Sequence, residues 1–275
     1  MKIAPLAIFV LMVAALAAIA QNTNVASQRG NPMTAVTPDI VKSLAPTGTL
    51  RAGINLGNPV LVQTDAATGD PKGVTVDLAR ELGRRLNVPV ELKRFDAAGK
   101  SFEGLKSGGL DIVFLAIEPV RAAEVAFSAP YVIIEGVYMV PKNSTIKSND
   151  EVDRPGVRIG VNKASAYDLF LSRSLKHATL VRGEGSMDSL VAQKLEVVAG
   201  VKQPLVAYVK ARPDMRLLDG RFMEIRQAMG TVKGRDVGAR YLQAFIEELK
   251  ASGFIADALK RSNQPDAAVA PPAGS

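Results

Sequence analysis

The chain has no cysteine and no tryptophan, and a single histidine. The lack of cysteine excludes disulfides, thiolate metal sites, a cysteine nucleophile and a lipid attached through cysteine. With no Trp, 5 Tyr and 9 Phe, few rings are available as platforms for nucleobases. The one histidine, His177, stands in Leu175-Lys176-His177-Ala178, between an expected helix and an expected strand, where a loop or helix-end position accounts for it better than catalysis does. The glycines are scattered and form neither Gly-x-Gly-x-x-Gly nor a P-loop. No His, Asp and Glu residues have metal-ligand spacing, so neither metal nor cofactor is expected.

What is present begins with the N-terminus. Lys2 precedes an unbroken apolar stretch, residues 4–20, that ends in Leu16-Ala17-Ala18-Ile19-Ala20. A short basic region, an apolar region and a small-x-small pattern make a secretory signal. Residues 1–20 are therefore expected to be cleaved, leaving Gln21 first, and the mature chain to be periplasmic and not a lipoprotein. An uncleaved anchor is the rival reading, but the stretch sits at the lower limit of about 17–25 residues for spanning a bilayer. The formal charge of +7 falls to +6 when Lys2 is removed (7 − 1). Its basic residues are interspersed with acids, as in Glu81-Leu82-Gly83-Arg84-Arg85. That is a solvated surface, with no basic, aromatic-rich strip for nucleic acid.

Residues 21–46, rich in Asn, Thr, Ser, Gln and Pro, read as a mobile leader. Residues 263–275, rich in Ala, Pro and Gly, read as a disordered tail. Between them, short apolar strands alternate with amphipathic helices, the pattern of an α/β fold. The first series is a strand at 49–55, a helix at 76–86, a strand at 88–95, a helix at 101–107 stopped by Gly108-Gly109, and a continuous apolar strand at 110–117. The second is a strand at 158–161, a helix at 165–175, a strand at 178–181, a helix at 186–193 and a strand at 195–201, before a closing helix at 237–252. Ser101-Phe102-Glu103-Gly104-Leu105 and Leu110-Asp111-Ile112-Val113 align without a gap on Ser186-Met187-Asp188-Ser189-Leu190 and Leu195-Glu196-Val197-Val198, and Pro119 then aligns on Pro204. An internal repeat of this kind implies two lobes of similar build, with a ligand beyond the carboxyl ends of their strands.

Several motifs resemble a known family. Leu50-Arg51-Ala52-Gly53 is followed by Gly73-Val74-Thr75-Val76-Asp77-Leu78-Ala79. Later come Gly109-Leu110-Asp111-Ile112, Glu118-Pro119-Val120-Arg121 and Phe127-Ser128-Ala129-Pro130-Tyr131. Over residues 47–262 the chain is similar to bacterial extracellular solute-binding proteins, family 3, most specifically from Gly109 to Tyr131. The resemblance implies a periplasmic-binding-protein-like fold of type II, in which two α/β lobes are joined by a two-strand hinge with the cleft between them. Lobe 1 would be 47–137 plus 229–262, and lobe 2 would be 138–228. It implies a monomer that binds an amino acid or related carboxylate and hands it to a membrane ABC permease. It also supplies a rival from the same fold, an exported cyclohexadienyl (prephenate or arogenate) dehydratase, for which Glu118 or Glu184 would be the candidate acid.

Arg121 is the first site candidate, because a carboxylate in a cleft calls for a planar, always-charged donor. Pro119 suits the first helical position after Glu118, which would aim Arg121 back at the preceding strand end. A surface arginine paired with Glu124 is the plainer reading of the residue type. The resemblance favours the ligand role, since family members use the arginine of this turn for the ligand carboxylate. In lobe 2, Lys163-Ala164-Ser165-Ala166 precedes a helix. The Ser165 hydroxyl and the Ala166 N–H are candidate contacts there, and Lys163 stands beside them, although capping alone would explain Ser165. Asn58, in Gly57-Asn58-Pro59, is a further candidate that turn chemistry alone would also explain. Two departures from the family pattern matter. Ala116 lies in Phe114-Leu115-Ala116-Ile117, where many relatives carry hydroxyl groups. Gly200-Val201-Lys202-Gln203 has no acid where amino-acid binders tend to hold the ligand ammonium. Either Glu118 substitutes for that acid, or the ligand lacks an α-ammonium.

Overall fold

The computed structural model describes residues 35–184, 187–264 and 267–274. The expected signal segment, residues 1–20, lies outside the described residues.

The expected mobile leader contains a helix. Thr37 caps α1 (Pro38–Leu44), accepting from the Ile40 N–H at 3.4 Å, with Pro38 in the first turn. Ile40 and Leu44 are buried. The Thr-Pro start signal outweighs the polar composition that suggested a leader.

The first series follows. β1 (Leu50–Asn55) leads through a small hairpin, β2 (Gln63–Thr64) and β3 (Pro71–Lys72), into α2 (Val74–Leu86). Leu78, Leu82 and Leu86 of α2 are buried, as their four-residue spacing requires. Asn87 closes α2 in the left-handed region at φ 53°. β4 (Val90–Phe95), α3 (Ala98–Lys106) and β5 (Ile112–Ala116) complete the unit. Every residue of β5 is buried, which the continuous apolar run predicts for a strand covered on both faces. A short helix, α4 (Pro119–Ala122), then turns the chain into the long strand β6 (Val125–Pro141).

The second series is β7 (Arg158–Asn162), α5 (Ala166–Ser174), β8 (Thr179–Gly183), α6 (Met187–Val191) and β9 (Val197–Val201), then α7 (Lys202–Ala211) and β10 (Met215–Leu217). The chain returns along β11 (Met223–Val232) and ends in α8 (Asp236–Ala251), α9 (Phe254–Arg261) and β12 (Ala268–Val269).

The strand order is β4-β1-β5-β11-β6-β9-β7-β8. β4, β1 and β5 are parallel, and so are β8, β7 and β9. In each series the first strand lies in the middle, the second outside it and the third toward the centre, so the repeat inferred from 101–113 and 186–198 is a repeat of topology. It extends to side chains. The Arg51 N–H donates to Asp111 Oδ2 at 3.0 Å, and its guanidinium bonds Asp111 at 2.9 and 2.8 Å and the Gly108 carbonyl at 2.8 Å. The Arg158 N–H donates to Glu196 Oε2 at 2.9 Å, and its guanidinium bonds Glu196 at 2.9 and 2.8 Å and the Lys194 carbonyl at 2.9 Å. Each clamp ties the start of a central strand to the start of its inner neighbour. Only the first is deeply buried, where Arg235 also reaches Asp111 at 3.0 Å.

β6 and β11 join the two lobes. β11 pairs with β5 and with β6, while the far end of β6 pairs with β9 and β10. The expected disordered tail is partly ordered: β12 pairs with β6 at Val132 and Ile133, the Ala270 N–H donates to the Tyr131 carbonyl at 3.1 Å, and Ala267 and Ala270 are buried. Small side chains let this segment lie flat on the β6 edge, a contact that alanine-rich composition does not signal.

Burial pushes the Asp111 carboxyl up, but the bonds from Arg51 and Arg235 outweigh it and hold the group below its ordinary 3.8. A depressed folded value gives stability that is complete above 3.8 and is lost as pH falls through the folded value. Asp111→Asn should therefore cost about 3 kcal/mol near neutral pH by urea denaturation, and the difference from the parent should shrink on acidification; a pH-independent difference would contradict the ion-pair account. A chain ending at Gln264 should melt a few degrees lower, about 2–4 °C per kcal/mol lost; an unchanged melting temperature would mean that β12 adds nothing.

Candidate functional site

The carboxyl ends of β1, β5, β7 and β9 converge on one cavity of about 820 Å³. This is the position that parallel strand ends and helix N-termini make available in open α/β sheets. Its volume is within the about 300–1,000 Å³ usual for ligand pockets.

Arg121 is built into this cavity from the backbone upward. β5 ends at Ala116, Glu118 takes the extended cap conformation and Pro119 opens α4. That single turn swings the Arg121 side chain back, where Nη1 donates to the Ala116 carbonyl at 3.1 Å and Nη2 to the Ala164 carbonyl at 2.9 Å. Ala116 belongs to the first series and Ala164 to the loop opening α5, so one guanidinium spans the cleft. Arg121 is only 2% exposed. Burial pulls its pKa down to about 10, with Glu118 nearby opposing the fall. No carboxylate among the described residues forms an ion pair with it, Glu124 included. Two neutral carbonyls do not neutralise a desolvated cation. The surface pairing with Glu124 is thus replaced by a buried cation with no ion-pair partner among the described residues, Glu118 acting on it only through space.

The facing edge comes from the β7–α5 loop. Ala164 sits in the left-handed region at φ 57°, costly for a residue with a Cβ. It is held there by its N–H bond to Asp168 Oδ2 at 2.8 Å and by the Arg121 bond to its carbonyl. Ser165 caps α5, its hydroxyl accepting from the Asp168 N–H at 3.1 Å. Ala166 is the first residue of α5, so its N–H has no acceptor within the helix. Both line the cavity, as do Ala116, Asn58 and Lys163. A Cβ on Gly99 would lie 2.7 Å from Ala164 Cβ, so glycine permits the close approach of α3 to this loop.

The remaining candidates separate. The Asn58 backbone is engaged in its turn, its carbonyl accepting from Leu61 and Val62 at 3.0 Å. Its side-chain Oδ1 is buried without a hydrogen-bond partner. Lys163 is at the rim, paired with Glu184 at 3.2 Å and 63% exposed. Glu118 is buried but does not line the cavity; it forms an ion pair with Arg173 of α5, a second link between the lobes. It is thus not positioned to replace the acid missing from residues 200–203, of which Gly200 and Val201 line the wall. His177 is exposed and remote, its N–H anchored with those of Lys176 and Ala178 on Asp153.

Sequence reasoning missed Asn162 and Gln227. Asn162 ends β7 at the cavity with Oδ1 buried and unpartnered; its place at a strand's carboxyl end was the available signal. Gln227 is 6% exposed and lines the cavity from β11. It follows the apolar Met223 and Ile225 at two-residue spacing, a polar residue on a buried face. Arg121→Met, which keeps the stem and removes the charge, is expected to leave the unliganded protein as stable as the parent or up to about 1–4 kcal/mol more stable in urea denaturation; a loss of more than about 2 kcal/mol would identify the guanidinium as a structural tether.

Similarity to known proteins agrees with this geometry. A probable histidine-binding protein of Neisseria gonorrhoeae is 25% identical over 200 residues, covering 67% of this chain and 72% of the relative. Among solved structures, a solute receptor for L-cysteine of Neisseria gonorrhoeae superposes with a TM-score of 0.70 at 24% identity, over 82% of this chain and 94% of the other. An amino acid ABC transporter substrate-binding protein of Streptococcus pneumoniae bound to L-arginine does so with a TM-score of 0.69 at 18% identity, over 82% and 98%. At such identities the structural matches establish the type II binding-protein fold. Residues 50–263 match bacterial extracellular solute-binding proteins, family 3, and the chain belongs to that family.

Proposed function

We propose that the protein captures a small carboxylate-bearing solute, an amino acid or related organic acid, outside the cytoplasm and delivers it to an ABC importer. Arg121 is the observation that carries this reading. It is buried, charged and aimed into the cavity, and its only hydrogen-bond partners among the described residues are two carbonyls. A ligand carboxylate would supply the missing negative charge in bidentate form, with the Ala166 N–H and the Ser165 hydroxyl as neighbouring donors. The relatives named as amino-acid receptors support the ligand class and the importer.

The same charge accounts for closure. Opening the lobes would hydrate Arg121, and closing them empty would strip that water without an anion in return. A bound carboxylate makes the closed state favourable, which is the differential affinity that a ligand needs to shift a conformational equilibrium. In this proposal the hinge is made by β6 and β11. Lobe 1 comprises 47–137 and 229–262, extended by α1 and the β12 segment, and lobe 2 comprises 138–228. The mature chain would act as a periplasmic monomer, freed by cleavage after Ala20 and not lipid-anchored, since it has no cysteine.

The dehydratase reading is less favoured. It needs an acid in the cleft, yet Glu118 is neutralised by Arg173 outside the cavity and Glu184 is at the rim, 67% exposed and paired with Lys163. We read the protein as a binder without catalytic activity.

A thermal-shift screen of amino acids, hydroxy acids, oxo acids, dicarboxylates and prephenate should find a ligand that raises the melting temperature. Arg121→Ala should weaken that ligand by about 2–5 kcal/mol in calorimetry, and the parent should show a smaller radius of gyration by small-angle scattering when loaded. Unchanged affinity in Arg121→Ala, or turnover of prephenate, would contradict the proposal.

A further inference from the structure

The solute-capture reading leaves open what the ligand carries besides its carboxylate, and the charges around the cavity bear on this. Among the described residues, the acids lining it are Asp96, Glu103 and Glu184. Their side chains are 71%, 66% and 67% exposed, and each is paired with a lysine: Lys100 at 2.7 Å, Lys106 at 3.4 Å and Lys163 at 3.2 Å. They belong to the rim and are already compensated. The buried acids close by are Glu118 and Asp168. Neither lines the cavity, and each is held by an arginine, Arg173 and Arg182 respectively.

The depth of the cavity therefore carries one net charge, the positive one on Arg121. Its other buried polar atoms are neutral. Asn58 Oδ1, from the loop after β1, and Asn162 Oδ1, from the end of β7, are both buried acceptors without a partner. Phe102, Phe114, Leu169, Val201 and Ile225 supply apolar wall. A desolvated ammonium requires a carboxylate, because neutral oxygens do not balance a full charge taken out of water. A hydroxyl or an amide N–H requires only an acceptor; Asn58 Oδ1 is unpartnered at the wall, and the Asn162 amide lies there beside the Tyr167 hydroxyl.

Resting on the reading of the cleft as a carboxylate receptor, we infer that the preferred ligand is a monocarboxylate with an apolar body and a neutral hydrogen-bond donor, a hydroxyl or amide N–H, in place of the α-ammonium of an amino acid. The carboxylate meets Arg121, the donor meets Asn58 Oδ1 or Asn162 Oδ1, and the body lies against the apolar walls.

The test is calorimetry of the mature chain on matched sets in which only the α-substituent changes. These are L-phenylalanine, 3-phenyllactate, N-acetyl-L-phenylalanine and phenylpyruvate, with the corresponding leucine, valine and alanine series. In the sets that bind, the hydroxy or N-acetyl acid should be tighter than the amino acid by at least about tenfold, and tighter than the oxo acid, which lacks a donor. Asn58→Asp and Asn162→Asp place an acid in the wall, and at least one of them should move the ratio toward the amino acid by about tenfold. An amino acid that binds as well as or better than its partners overturns the inference while leaving solute capture intact. A tightest oxo acid, or an unchanged ratio in both aspartate variants, also overturns it. Failure of every amino acid and every organic acid to bind overturns the capture reading as well.

Discussion

A single guanidinium organises the cleft. Arg121 is removed from water and donates to one carbonyl at the end of β5 and to another in the loop before α5. Both bonds go to neutral groups, so the charge is oriented but not balanced. In the proposed reading, desolvating a cation in this way would work against a closed, empty cleft and in favour of an anion that enters. The left-handed Ala164, the proline opening α4 and the small residue at Gly99 all serve this contact, since each permits the β5 and β7 strand ends to come within reach of one side chain.

The scaffold that presents it is built twice. Arg51 with Asp111 and Arg158 with Glu196 tie equivalent strand starts together in the two lobes. With the starts fixed and the strands nearly equal in length, the carboxyl ends fall opposite each other. The clamps differ in setting. Asp111 is fully buried with two arginines, whereas Arg158 and Glu196 are 47% and 37% exposed. The first lobe thus invests more in its ion network, which also anchors the start of α8 through Arg235. The returning strand and α8 bind the end of the chain to that lobe, and β12 adds to the same β6 edge.

Much of this was legible in the sequence because it depends on local periodicity. The buried run of β5, the leucine spacing of α2 and the Ser165 cap predict their elements directly, and the aligned Asp111 and Glu196 segments anticipate the shared topology. Arg121 was legible through its turn and its family resemblance. Other features depend on contacts that no local pattern carries. Glu118 was a candidate for the cavity, but its partner Arg173 is distant in sequence and draws it away. Asn162 and Gln227 reach the cavity through strand order, which fixes which face of β7 and β11 points inward. The ordered tail is not legible in the sequence because alanine and proline suggest disorder by composition, while its pairing depends on an open edge of β6.

The geometry separates two properties that are often taken together, affinity for a carboxylate and recognition of an amino acid. In the proposed reading the first would come from the buried charge of Arg121; the second would need an acid that the described cavity wall holds only at its exposed rim. A crystal structure of the protein with its tightest ligand tests the central claim most directly. The ligand carboxylate should lie within hydrogen-bond distance of Arg121, with the Ser165–Ala166 end of α5 beside it and the lobes closed over it. A ligand whose carboxylate points to solvent or to the rim lysines, leaving Arg121 bonded only to the carbonyls of Ala116 and Ala164, would contradict the account.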